Sequence, residues 1–192
     1  MDRLTGLIAA TFTPMHPDGS VDLAPVPAMV EGLLRNGITA LYVCGSTGEG
    51  PSLTTEERER VAEAFVAAAA GRLPVMVQVG HNSVEDARRL AAHAASIGAD
   101  AISAVSPSYF IPEGVAALVE TLGRVTDAAP DLPFYYYHIP RLSGVSLSPL
   151  AFLEAAPARM PSLAGVKFSC RDVEVMQACL AFDGGRFNIL FG

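Results

Sequence analysis

Lysine is nearly missing from this sequence: of 13 basic residues only Lys167 is a lysine, and all the others are arginines. Tryptophan is absent, cysteine occurs three times, and charged residues make up 17% of the chain. Each scarcity excludes something. Basic residues are outnumbered by 20 acidic ones, giving a net charge of -7, and no clustered basic face of the kind that binds a phosphate backbone can be read, so no nucleic acid partner is expected. Cys44, Cys170 and Cys179 are odd in number and lack the paired spacing of a zinc site or disulfide framework, so a reducing, cytoplasmic setting is expected and no metal. No apolar run approaches the roughly 20 residues of a membrane helix. The segment from Met1 to Gly6 is not a basic start followed by a long apolar run, so neither a secretory signal nor a membrane anchor is read.

What is present is a hydrophobic share of 51% over 192 residues, enough for one large domain with a real core. Short apolar runs alternate with helical patterns. Strands are expected over Leu7 to Phe12, Thr39 to Val43, Pro74 to Val79, Ala101 to Val105, Pro133 to Tyr137, Ala164 to Phe168 and Phe187 to Phe191. Between them lie helices with readable start signals: Asp22, the Thr54/Glu57 capping-box pair, Ser83, Ser148-Pro149 and Asp172. The helix after Asp172 is expected to bury Val175, Met176, Cys179 and Leu180. Strand then helix, with strands apolar on both faces, predicts a parallel sheet covered by helices. A closed barrel and an open doubly wound sheet both fit that pattern.

Three stretches carry chemistry, each following a strand or ending one. Gly45-Ser46-Thr47-Gly48-Glu49-Gly50 offers amides and two hydroxyls to an anion, and one carboxylate suits it better than a polyphosphate. It lacks the dinucleotide spacing and the Walker lysine. The alternative reading is a tight turn whose glycines serve the backbone. Tyr135-Tyr136-Tyr137-His138-Ile139-Pro140 sends Tyr135 and Tyr137 to one face and Tyr136 to the other. An inward phenol there can relay a proton, whereas core packing is the commoner role of such rings. His138, opposite in direction to Tyr137, is read as a packing residue. Gly165-Val166-Lys167-Phe168-Ser169 sets the sole ammonium among apolar neighbours. Either its head is solvated and its stem covers apolar surface, or it enters a pocket where desolvation makes it a Schiff-base nucleophile. Groups at the ends of many different strands favour the barrel over the open sheet.

These motifs, in this order, resemble the dihydrodipicolinate synthase and N-acetylneuraminate lyase family of class I aldolases on a (β/α)8 TIM barrel. The resemblance runs from Leu7 to Gly192. It implies that Lys167 forms the Schiff base with a 2-oxo acid, that Tyr137 relays the proton, and that Ser46 and Thr47 hold the pyruvyl carboxylate. It further implies substrate-binding roles for Ser169 and Gly192, a place for Tyr109 near a neighbouring subunit's site, no cofactor, and a homotetramer. Two residues after Pro140 the synthases carry an arginine that binds the aldehyde's carboxylate; here Leu142 stands there, as in the lyases, with Arg141 one place off. The expected reaction is cleavage of N-acetylneuraminate or a related 2-oxo sugar acid to pyruvate and an aldehyde. The alternatives are condensation of pyruvate with another aldehyde, or an inactive shortened chain serving as a binding or assembly subunit. The family runs on beyond the point where this sequence stops, so residues 1–192 are expected to form a single, incomplete barrel domain of about seven strands, lacking the eighth strand and the final helices.

Overall fold

A computed structural model describes residues 3–192; Met1 and Asp2, where the segment read for a targeting signal begins, lie outside the described residues. Internal contacts group them into two compact units. One comprises the described residues up to Gln78 together with Ala92–Ile102, and the other Val79–Ala91 with Ser103–Gly192.

The first unit contains β1 (Ile8–Ala10), α1 (Val26–Arg35), β2 (Ala40–Val43), α2 (Thr55–Ala69) and β3 (Val75–Gln78). Its strands pair in parallel, Ile8 opposite Ala40 and Leu41 opposite Val75. β2 and β3 are buried along their whole length, which is why they read as unbroken apolar runs. α2 starts with the expected box: the Thr54 hydroxyl accepts from Glu57 N at 3.2 Å and the Glu57 carboxylate accepts from Thr54 N at 2.8 Å. α1 departs from expectation. Asp22 does not cap it; its Oδ1 accepts from Ala24 N at 3.0 Å in the preceding turn. Pro25 occupies the cap position and Pro27 the first turn, where fixed φ preorganises the helix and missing N–H groups cost nothing. α2 also buries Arg58, whose Nη2 donates to the Gln78 carbonyl at 2.6 Å. A guanidinium in a core needs such a partner.

α3 (Val84–Ser96) and β4 (Ala101–Val105) are each divided between the two units. Ser83 caps α3 as read, accepting from Asp86 N at 3.2 Å, and Ala87, Leu90, Ala91 and Ala94 form its buried stripe.

The second unit adds α4 (Val115–Thr126), β5 (Phe134–His138), α5 (Pro140–Ser143), α6 (Pro149–Ala155), β6 (Leu163–Phe168), α7 (Val173–Ala181) and β7 (Asn188–Phe191). β5, β6 and β7 pair in parallel. Ser148 caps α6 through Ala151 N at 3.2 Å and Asp172 caps α7 through Val175 N at 3.0 Å. The buried face expected for α7 is formed only in part, with Val175 and Met176 half-buried. Only Cys179 is buried, while Leu180 is 44% and Val173 52% exposed. β7 pairs with β6 alone among the described residues and is itself half-exposed, and among the described residues the second flank of α7 stays open.

Candidate active site

Parallel pairing in the second unit aligns residues row by row. Tyr137 lies opposite Lys167, and Lys167 opposite Leu190; one row earlier, Tyr135 lies opposite Gly165, and Gly165 opposite Asn188. Because side chains alternate along a strand, these two rows share one face. The other face belongs to the core: Tyr136 meets Phe152 of α6 at 4.6 Å between centroids, and His138 meets Phe168 at 5.4 Å.

On the first face the Lys167 ammonium sits 3.9 Å from the centroid of the buried Tyr137 ring and donates to Ser169 Oγ at 3.2 Å. A cation over an aromatic face is attracted by the ring quadrupole. Ser169 is fixed by its own N–H, which donates to the His138 carbonyl at 2.8 Å, and Gly192 by its N–H to the Phe168 carbonyl at 3.1 Å. A Cβ at Gly192 would stand 3.5 Å from Lys167 Nζ, so the absent side chain keeps one approach to the amine open. Lys167 itself is half-buried. Four residues singled out in the sequence, Lys167, Tyr137, Ser169 and Gly192, are therefore neighbours around one amine.

His138 packs as read. Burial pushes its imidazole down to about 4, leaving it neutral at pH 7. Burial likewise pushes the Tyr136 phenol up, which keeps it protonated.

Tyr109 stands on an exposed loop, 80% accessible, with its ring edge against Phe110 at 5.0 Å. Asn82 holds that loop: its Oδ1 accepts from Ser108 N at 2.8 Å and Tyr109 N at 3.1 Å.

Ser46 and Thr47 belong to the first unit, in the loop after β2. The loop enters through Cys44 and leaves through Glu49, both left-handed with φ of 58° and 55°, a conformation costing a non-glycine residue roughly 1–2 kcal/mol. A Cβ at Gly50 would strike the Cys44 carbonyl and one at Gly48 would lie 2.9 Å from the Thr11 carbonyl. Carbonyls of Gly45, Ser46, Gly48 and Glu49 all accept bonds, the Gly48 carbonyl from Thr13 Oγ1 at 2.6 Å. Both sequence readings of the loop thus have a physical counterpart: Gly48 and Gly50 are demanded by close backbone approach, and four carbonyls that would repel an anion are engaged. A short 3-10 turn, Gly50–Ser52, separates the loop from α2. The Cys44 thiol, buried behind it, is pushed up to about 11 and is no nucleophile.

A sequence model of the dihydrodipicolinate synthetase family matches residues 3–192. The chain belongs to that family. Among its relatives, N-acetylneuraminate lyase A of Xenopus laevis is 47% identical over 99% of this chain, and N-acetylneuraminate lyase of Danio rerio 42% identical over the same share. The chain spans 63% of the length of each. Among solved members, Proteus mirabilis N-acetylneuraminate lyase superposes with a TM-score of 0.97 at 40% identity, covering all of this chain and 64% of that one. Dihydrodipicolinate synthase from Aquifex aeolicus gives 0.91 at 33% identity, with 98% and 63% covered. The family's fold is thus present here in its first seven strands, in agreement with the partial barrel expected from the sequence.

Sequence reasoning missed Asn188, Asn82 and Arg58. Asn188 was detectable as the one polar residue within the apolar run from Phe187 to Phe191. Nothing local marks Arg58, because its partner is the carbonyl of a strand distant in sequence.

Proposed function

We propose that this chain carries the Schiff-base centre of a class I aldolase that cleaves N-acetylneuraminate or a related 2-oxo sugar acid to pyruvate and an aldehyde. The observation that carries the reading is the placement of the sole lysine against the Tyr137 ring and the Ser169 hydroxyl on one face of three in-register strands. Neutral Lys167 attacks the ketone carbon, and loss of water leaves a protonated imine. The carbon–carbon bond two atoms away then breaks as the substrate's hydroxyl proton is withdrawn, with Tyr137 as relay. Its electron pair flows to the imine, giving an enamine and a free aldehyde. Protonation of the enamine and hydrolysis release pyruvate and restore the amine.

Ser46 and Thr47 are assigned to the pyruvyl carboxylate, supported by a loop in which the carbonyls of Gly45, Ser46, Gly48 and Glu49 are engaged within the protein. Ser169 and Gly192 are assigned to the remainder of the substrate. Leu142, exposed where the synthases carry arginine, and the identities to lyases favour a sugar acid over the synthase substrate. The exposed aromatics Tyr109 and Phe110 support assembly with further copies, in a homotetramer, and three free cysteines suit the cytoplasm. Among the described residues no helix is long and apolar enough to cross a membrane.

The test uses the single lysine. Incubation with pyruvate and borohydride should add one reduced pyruvyl group, mapped by peptide mass to Lys167. Folded protein with no adduct, or with one confined to the amino-terminal amine, would overturn the reading.

A further inference from the structure

We infer that Tyr135 and Asn188 are positioning residues for Lys167, joined into a bridge that closes the site one row beneath the amine. The inference rests on the Schiff-base reading for its catalytic consequence, though not for its geometry. Tyr135 Oη donates to Asn188 Oδ1 at 2.9 Å. These residues sit on β5 and β7, and β6 lies between them. Two strand spacings make roughly 10 Å, a gap that a phenol from one side and a carboxamide from the other span together.

The residue they cross is Gly165. A Cβ there would collide with the Asn188 carbonyl, so glycine alone admits β7 this close. It also leaves no side chain on β6 to obstruct the bridge. Two residues further, on the same face, comes Lys167. The stem of Lys167 consequently rises just above a row that is filled on one side by Tyr135, which is 1% exposed, and on the other by Asn188. Four methylenes have many rotamers, and holding them in one costs side-chain entropy. A closed row beneath removes the rotamers that fold back towards β5 or β7 and leaves those that reach Tyr137 and Ser169. An amide in an otherwise apolar strand has this bond as its structural reason.

The experiment compares Tyr135→Phe, Asn188→Leu and the double variant of the full chain. The maximal rate of pyruvate-dependent adduct formation at Lys167 should fall roughly tenfold in each, as for loss of one buried hydrogen bond. The pyruvate concentration giving half that rate should hardly move. The double variant should lose no more than either single one, since both remove the same bond. In parallel, acetic anhydride without pyruvate should label Lys167 about threefold faster relative to the amino-terminal amine, because a freed stem spends more time in solvent.

Unchanged labelling together with unchanged adduct rates, or losses that multiply in the double variant, would overturn the proposal. If Asn188→Leu unfolds, Tyr135→Phe decides alone, since it removes one oxygen and keeps the ring volume. If the unsubstituted chain forms no adduct, the aldolase reading fails, and the labelling ratio still decides whether the bridge positions the lysine.

Discussion

The strand rows around Lys167 and the loop from Gly45 to Gly50 are built on opposite plans. In the rows, regular parallel pairing provides the geometry and side chains provide the chemistry, so Tyr137 and Lys167 are replaceable without disturbing the backbone, and only Gly165 is held by close approach of β7. In the loop, the backbone is the device. Two non-glycine residues are left-handed, Gly48 and Gly50 have no room for a Cβ, and a threonine from another segment bonds the Gly48 carbonyl. The first region separates function from folding, and the second fuses them.

Three experiments would break or sharpen that contrast. The largest effect is expected for Tyr137→Phe, which should slow carbon–carbon cleavage by roughly 100-fold or more, the range of a lost acid–base group. Borohydride-trapped adduct should still form and the urea midpoint should hold. Turnover equal to the unsubstituted protein would remove the relay from the mechanism.

Next is Gly48→Ala, whose Cβ would stand 2.9 Å from the Thr11 carbonyl. Backbone has little freedom to yield, so a loss of about 2–4 kcal/mol in unfolding free energy is expected. A loss below about 1 kcal/mol would erase the distinction between the two regions.

The smallest effect tests the other face of the same strands. His138 has its imidazole lowered from 6.5 to about 4 by burial. Between those values the unfolded chain takes up a proton that the folded chain refuses, so stability is full at pH 7 and falls as pH drops from 6.5 towards 4. The component is roughly 3 kcal/mol at most. His138→Phe, beside Phe168 and Tyr136, should lack it, so its urea midpoint should decline less steeply with acid than that of the unsubstituted protein. Parallel declines would show that His138 titrates freely.

Much of this was legible in the sequence because the signals are local. The alternation of apolar runs gave all seven strands to within two residues at each end, and the Thr54/Glu57 box, Ser83, Ser148 and Asp172 each cap the helix that follows. Alternation also separated Tyr137 from Tyr136 and His138. What escaped depends on contacts between distant segments. The turn at Asp22 looks like a cap until Pro25 and Pro27 are given their conformational weight. The face of α7 looked buried because periodicity states which residues share a side and is silent on whether anything lies against it. The left-handed Cys44 could not be foreseen, since glycine residues on its carboxyl side offered a cheaper place for the bend.

The row alignment of β5, β6 and β7 has a consequence for how this chain can change over evolutionary time. Side chains alternate, so deleting or inserting one residue between Leu163 and Lys167 would rotate the lysine to the opposite surface, among Phe152, Tyr136 and Phe168, and bring an apolar neighbour to the place where the amine now stands. Substitutions in β6 are filtered one at a time by size and polarity, but a change in its length is filtered all at once. The spacing from Gly165 to Lys167 is therefore the part of this region least able to drift.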